Sequence, residues 1–237
     1  MYKKNLLNID LISINCVDAH QSEAAINYCQ QFINFGKSIL ITHQDVDVDN
    51  IELHLLPDKL NWNQYNDNIL KLIDHTSNDY VLLIQDDGHI VNPDLWDDEY
   101  LNYDYVGAPW PFEESWIKLQ HESQKDYMRK VFPSNRVGNG GFCLRSKKFL
   151  EFSNQFDSCN GLGEDSFLCI RKYEEAIDYG IKFAPFELAV KFSYENPCVE
   201  FDGNSWDTKI FFDENKHFGW HGKNFLNINE LMSLKYR

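Results

Sequence analysis

The stretch YVLLIQDDGHIVNP, Tyr80 to Pro93, sets two adjacent carboxylates and a glycine directly after a run of strand-forming residues. Val81 to Ile84 read as a short continuous strand of the kind buried on both faces of a parallel sheet. Gln85, Asp86, Asp87 and Gly88 then stand at its carboxyl end, the edge where open α/β sheets bind ligands. A magnesium or manganese ion takes one or two protein carboxylates, with substrate phosphates and water completing its shell. Asp87 turned toward such a metal and Asp86 toward a ribose hydroxyl would suit a nucleotide diphosphate, and Gly88 would let the backbone approach closely. Asp and Gly are equally ordinary turn formers, and this stretch alone does not separate a ligand site from a solvated turn.

Three further stretches carry usable chemistry. VGNGGF, Val137 to Phe142, places three glycines in four positions, which permits positive φ and clears side chains from one wall of a cleft. Asn139, Gly140 and Gly141, with Trp110 from the aromatic-rich YDYVGAPWPF, are therefore candidates for an acceptor wall, although a tight turn explains the glycines as well. Arg145 can neutralise a phosphate or serve as an ordinary ion-pair partner. In GLGEDSF, Glu164 and Asp165 open an expected helix, where carboxylates favour the dipole. One of them within reach of an acceptor hydroxyl would instead be a general base, with its pKa raised by the other. His221, in HFGWHG, can supply a nitrogen to the same metal as Asp87, or be purely structural.

The elements that must position these groups follow from periodicity. Leu11 to Ile14, Ser38 to Thr42 and Ile51 to Leu56 read as strands, Ser22 to Phe35 as an amphipathic helix ending at Gly36, and Trp62 or Gln64 to Asp74 as a second helix. Strands alternating with helices of this length imply a mainly parallel sheet flanked by helices. Beyond Pro93 the expectations are a mobile or helical insertion over EESWIKLQHESQKDYMRKVFP, a turn, strand and helix over VGNGGFCLRSKKFLEF, and a helix from about Asp165 to Tyr179. That helix turns Phe167, Leu168, Ile170, Tyr173 and Ile177 inward; ELAVKFSYEN comes next as a strand, and a short helix closes the chain. No dinucleotide fingerprint and no phosphate-binding loop is present.

The 237 residues suffice for one moderately large domain with a substantial core, at 43% hydrophobic and 25% charged. A formal charge of −15 disfavours nucleic acid and anionic membrane surfaces as partners. It leaves room for an anionic small molecule where a metal inverts the local field. Aromatics at 15% exceed what a minimal core requires; most read as a core rich in Phe and Tyr, while exposed rings would suit a sugar-binding cleft. Six cysteines without a Cys-x-x-Cys pair read as reduced core residues. The N-terminus reads as a first strand rather than a signal peptide, and no run is long enough to span a membrane. The expectation is a soluble, cytoplasmic protein.

Taken in order, VLLIQDDGHIVNPDLW, YDYVGAPW, VGNGGFCLRS, the Glu164–Asp165 pair and FGWHG resemble the shared motif set of glycosyltransferases with the GT-A fold. More narrowly they resemble a glycosyltransferase-like family catalogued as a domain of unknown function, from about Leu11 to Gly222. The resemblance implies a single GT-A-like domain over 1–237, with a nucleotide-binding half over about 1–90 and an acceptor half over about 91–237. It implies a nucleotide-sugar donor, a glycan or glycoconjugate acceptor of the kind found in polysaccharide biosynthesis, and a manganese or magnesium ion. Asp87 and His221 are then the metal ligands, Asp86 lies near the ribose, and Asp165 is the base with Glu164 beside it. Asn15, Asp18 and Thr42 at strand ends, with Gln85 and Arg145, complete the donor side. Gln85 stands where many relatives carry Asp, leaving one fewer negative charge for the metal. The rival expectations are another metal-dependent nucleotide enzyme, such as a nucleotidyltransferase, and a catalytically silent carbohydrate-binding or scaffold protein.

Overall fold

The structure, a computed structural model, describes residues 3–234. Its frame is a six-stranded sheet in the order β5 (Glu52–Leu55), β4 (Ser38–Thr42), β2 (Ile9–Ile14), β6 (Tyr80–Ile84), β9 (Phe142–Ser146) and β8 (Tyr105–Gly107). The first four run parallel, β9 runs against β6, and β8 against β9. β2 and β4 are buried along their whole length, as expected of strands covered on both faces. A small parallel pair joins β1 (Lys4–Leu6) to β3 (Ile33–Phe35). A third sheet sets β11 (Gly219–His221) between β10 (Ser193–Tyr194) and β7 (Gly88–Ile90). Beneath it Val190, Tyr194, Phe212, Trp220 and Phe225 form a second, smaller core.

The helices are α1 (Ala19–Gln30), α2 (Trp62–Ile69), α3 (Glu114–Ile117), α4 (Glu122–Val131), α5 (Lys147–Ser153), α6 (Glu164–Ser166), α7 (Tyr173–Asp178), α8 (Phe186–Phe192), α9 (Val199–Asp202) and α10 (Ile228–Leu234). α1 packs against β2 and β4, and a π-helical turn, Phe167–Arg171, links α6 to α7. Two boundaries are held by side chains that substitute for missing helical partners. Asp18 accepts from the His20 N–H at the start of α1, and Asn61 with Gln64 makes a reciprocal cap on α2.

Several local expectations are corrected. The first helix stops at Gln30, because Ile33–Phe35 finds a strand partner in Lys4–Leu6 near the start of the chain. The second ends at Ile69, and Leu72–His75 forms a separate 3-10 turn. ELAVKF is helical, as its Glu, Ala, Leu and Lys favour, and only Ser193–Tyr194 is strand. Phe167, Leu168 and Ile170 are buried as expected, but the π turn rotates the helical face beyond it, and Ile177 is 45% exposed. The stretch after Phe112 holds helices α3 and α4. All six cysteines are free and buried. Among the described residues no helix is long and apolar enough to cross a membrane.

Candidate active site

The reversal of strand direction between β6 and β9 builds the site. Because β9 runs back along β6, its start abuts the end of β6, and the Gln85 N–H donates to the Gly141 carbonyl at 2.8 Å. β7 then leaves to pair with β11, in a register that sets Gly88 opposite His221. His221 Nε2 thereby comes to 3.2 Å from Asp87 Oδ1 and 3.1 Å from Gln85 Oε1. Its Nδ1 lies 3.5 Å from Glu195 Oε1, just after β10. A Cβ at Gly141 would lie 2.0 Å from the imidazole, and one at Gly88 would meet the Gly141 carbonyl at 2.5 Å. The glycines therefore serve close approach: Gly138, Gly140 and Gly141 do not adopt the positive φ that sequence allowed. The wall that Gly140 and Gly141 clear is filled by Glu164 and His221, so neither glycine faces an acceptor.

Burial works against a charged imidazole, but the Asp87 and Glu195 carboxylates on either side hold His221 at about 10. Burial would likewise raise Asp87, and the hydrogen bond and charge of His221 draw it below the ordinary carboxylate range.

The two carboxylates of GLGEDSF part company. Glu164 is buried, and both its oxygens accept from Arg145 Nη2 at 2.8 Å. Arg145 has no exposed surface, and its guanidinium lies 5.4 Å from the centroid of the Tyr105 ring. This removes Arg145 as a phosphate ligand and Glu164 as a candidate base, since each is the other's buried counter-charge. Asp165 instead faces a cavity. Its oxygens accept from the Ser166 N–H at 2.6 Å and the Gly140 N–H at 3.3 Å. Burial first, and the charge of Glu164 second, push it up to about 7 against those two hydrogen bonds.

Two cavities flank this centre. The first, about 460 Å³, is walled by Asn15 and Val17 after β2, by Trp62 and Tyr65 of α2, and by Gln85 and Asp86. The second, about 610 Å³, is walled by Trp110, Trp116, Trp206, Asn139, Asp165 and Glu195. Asn15 reaches the first cavity while its side-chain Oδ1 accepts from the Val17 and Asp18 N–H groups. Asp18 and Thr42 do not reach it: Asp18 caps α1, and Thr42 is fully buried, accepting from the Gln44 N–H at 3.3 Å. Trp110 and Asn139 both line the second cavity, and the Asn139 amide donates to Glu195 Oε2 at 2.6 Å.

Glu195, Tyr65, Trp62, Trp116 and Trp206 are not among the sequence candidates. Glu195 has a signal: FSYEN ends a short strand in a carboxylate, as LLIQDD does. Tyr65 accepts from Gln85 Nε2 at 3.2 Å across 20 residues of chain, a contact with no local signature.

For a metal, the converging donors are Asp87 Oδ1, Gln85 Oε1 and His221 Nε2. Among the described residues no group of three or more His, Cys, Asp or Glu forms a metal cluster. Neighbouring ligands of an octahedral ion at ~2.1 Å stand ~3.0 Å apart. The separations of 3.1 and 3.2 Å from His221 Nε2 fit that spacing, provided the imidazole gives up its proton.

A family model described as a protein of unknown function, DUF5672, matches residues 51–207. The chain belongs to that family. No curated protein matches it in sequence. In fold it is similar to a glycosyltransferase involved in the glycosylation of the major capsid of PBCV-1, at 12% identity, covering 95% of this chain and 98% of that one, with a TM-score of 0.52. It is similar also to the galactosyltransferase LgtC, solved with donor and acceptor sugar analogs, at 12% identity, 96% and 95% coverage and a TM-score of 0.54. The DUF5672 chain thus has a mixed, mainly parallel α/β fold of the GT-A kind.

Proposed function

We propose that the chain is a glycosyltransferase that moves a sugar from a nucleoside-diphosphate donor to a hydroxyl of a saccharide or glycoconjugate. The observation that carries this reading is the double contact of His221: one ring nitrogen meets Gln85 of the first cavity's wall, the other meets Glu195 of the second's. His221 therefore bridges one wall residue of each cavity. LgtC, of similar fold, is solved with both a donor and an acceptor analog, which supports the same division between the cavities here.

In this reading the nucleotide occupies the first cavity, with Asp86 for the ribose and the 64% exposed Trp62 offering a ring face to the base. Asp87, His221 and the Gln85 amide oxygen would hold a manganese or magnesium ion, whose positive charge opposes that of a departing diphosphate. The acceptor enters the second cavity among Trp110, Trp116 and Trp206. Its hydroxyl oxygen attacks the anomeric carbon while Asp165 takes the proton, and the bond to the diphosphate oxygen breaks, inverting the centre. A pKa of about 7 leaves Asp165 ionised enough to accept that proton and basic enough to hold it.

The test is release of nucleoside diphosphate from a panel of uridine, guanosine and cytidine diphosphate sugars with manganese. The expected result is turnover of one donor class, lost in Asp87→Ala and in Asp165→Ala. Full activity in both variants, or release of pyrophosphate instead, would overturn the reading.

A further inference from the structure

A third cavity, of about 590 Å³, lies one residue beyond the acceptor cavity along two segments of chain. Gln120 and Ser166 line the acceptor cavity; the next residues, His121 and Phe167, line this one. The walls of the two cavities therefore adjoin at these two places along the chain. The π-helical turn ends here, its wide step marked by the Lys172 N–H donating to the Phe167 carbonyl at 2.9 Å, and it brings Arg171 to the wall.

Arg171 differs from the cations of α4 and from its own neighbour Lys172. Lys125 pairs with Glu122, Arg129 with Asp126, Lys130 with Glu174 and Lys172 with Glu175, at 2.7, 2.9, 2.7 and 2.7 Å. Among the described residues Arg171 makes neither an ion pair nor a side-chain hydrogen bond; its guanidinium carbon lies 4.1 Å from the centroid of the Tyr127 ring. A guanidinium held by an aromatic ring keeps its N–H donors free at the edge, the geometry that grips a carboxylate or sulfate. The wall of this cavity also carries the Lys172–Glu175 pair, so of its arginine and lysine only the half-buried Arg171 has no ion-pair partner among the described residues.

We propose that this third cavity is an extension of the acceptor site, which binds the anionic group of an acidic saccharide, a uronate carboxylate or a sulfate ester, through Arg171. The inference rests on the glycosyltransferase reading for its choice of a saccharide. Calorimetric titration with a galacturonic acid trisaccharide and with its neutral galactose counterpart tests it, with a sulfated trisaccharide separating carboxylate from general anion binding. The acidic probe is expected to bind about tenfold more tightly than the neutral one, the worth of one charge-assisted contact. Arg171→Gln erases that preference. Arg171→Lys keeps the charge but not the planar fork, retains part of the preference, and serves alone should the glutamine variant fail to fold. Equal binding of the two trisaccharides, or a preference that survives Arg171→Gln undiminished, would overturn the proposal. An acidic preference lost with Arg171 in a protein that turns over no donor keeps the subsite and refutes the transferase, whereas donor turnover without an acidic preference does the reverse.

Discussion

Two pairs of adjacent carboxylates stand at the centre of this molecule, and they are settled in opposite ways. At the end of β6, Asp86 faces the first cavity and Asp87 meets the imidazolium of His221, which draws its pKa down. At the start of α6, Glu164 takes the buried Arg145, and Asp165 is left with two backbone N–H groups and a pKa of about 7. Carboxylate chemistry is the same in all four. What differs is where the cations stand: the pair at β6 has one on its ligand side, the pair at α6 has its cation in the core. One pair is thereby suited to remain charged beside a ligand, the other to exchange a proton with one.

The contrast breaks first at Glu164. Glu164→Ala leaves the Arg145 cation buried with no partner and is expected to lower stability by about 3–5 kcal/mol, read from the midpoint of urea unfolding. The double variant Glu164→Leu/Arg145→Met, apolar throughout, recovers most of that loss. Next comes Asp165→Asn, expected to slow transfer by about 10²–10⁴-fold in single-turnover assays while the fold persists. The wild-type rate should fall as pH drops through about 7, because protonated Asp165 is no base, and this acid limb should vanish in the variant. Stability runs the other way. The folded pKa of about 7 lies above the ordinary 3.8, so the native state holds a proton that the unfolded chain has released, and the Asp165 contribution weakens as pH rises between those values.

A smaller effect is expected from Gly141→Ala, whose Cβ would lie 2.0 Å from the His221 ring. Displacing the ring is expected to cost about 1–3 kcal/mol of stability and to remove the manganese-dependent rise in melting temperature expected on addition of a nucleoside diphosphate. Smallest is Asp86→Asn: the donor KM rises about threefold to tenfold with kcat unchanged, the loss of one hydrogen bond made equally in ground and transition states.

Much of the frame is written locally. The run YVLLI followed by QDDG identifies a buried strand and the turn that ends it, because strand burial and turn chemistry are both properties of neighbours in sequence. What sequence does not show depends on distant partners. Ile33–Phe35 continues the spacing of α1 and becomes a strand only because Lys4–Leu6 is there to pair with it. Arg145 looks like any surface cation until β9 is seen buried at all five positions, with Glu164 waiting inside. Asp165 is legible as one of a carboxylate pair opening a helix, but its separation from Glu164 depends on which way α6 turns, which two letters cannot encode. Glu195 escapes such reading because its weight comes wholly from His221, whose own position depends on the pairing of β11 with β7.

The antiparallel junction of β6 and β9 has a consequence for how such a site can diversify. Gly141 precedes Phe142, which is opposite Ile84 in the ladder. A slip of one residue would put a phenyl ring where the imidazole now lies against bare backbone. The ladder therefore works as a gauge block: the spacing of the charged centre is machined into the sheet, while the tryptophan-bearing rims of the cavities, outside that ladder, remain free to be recut without disturbing it.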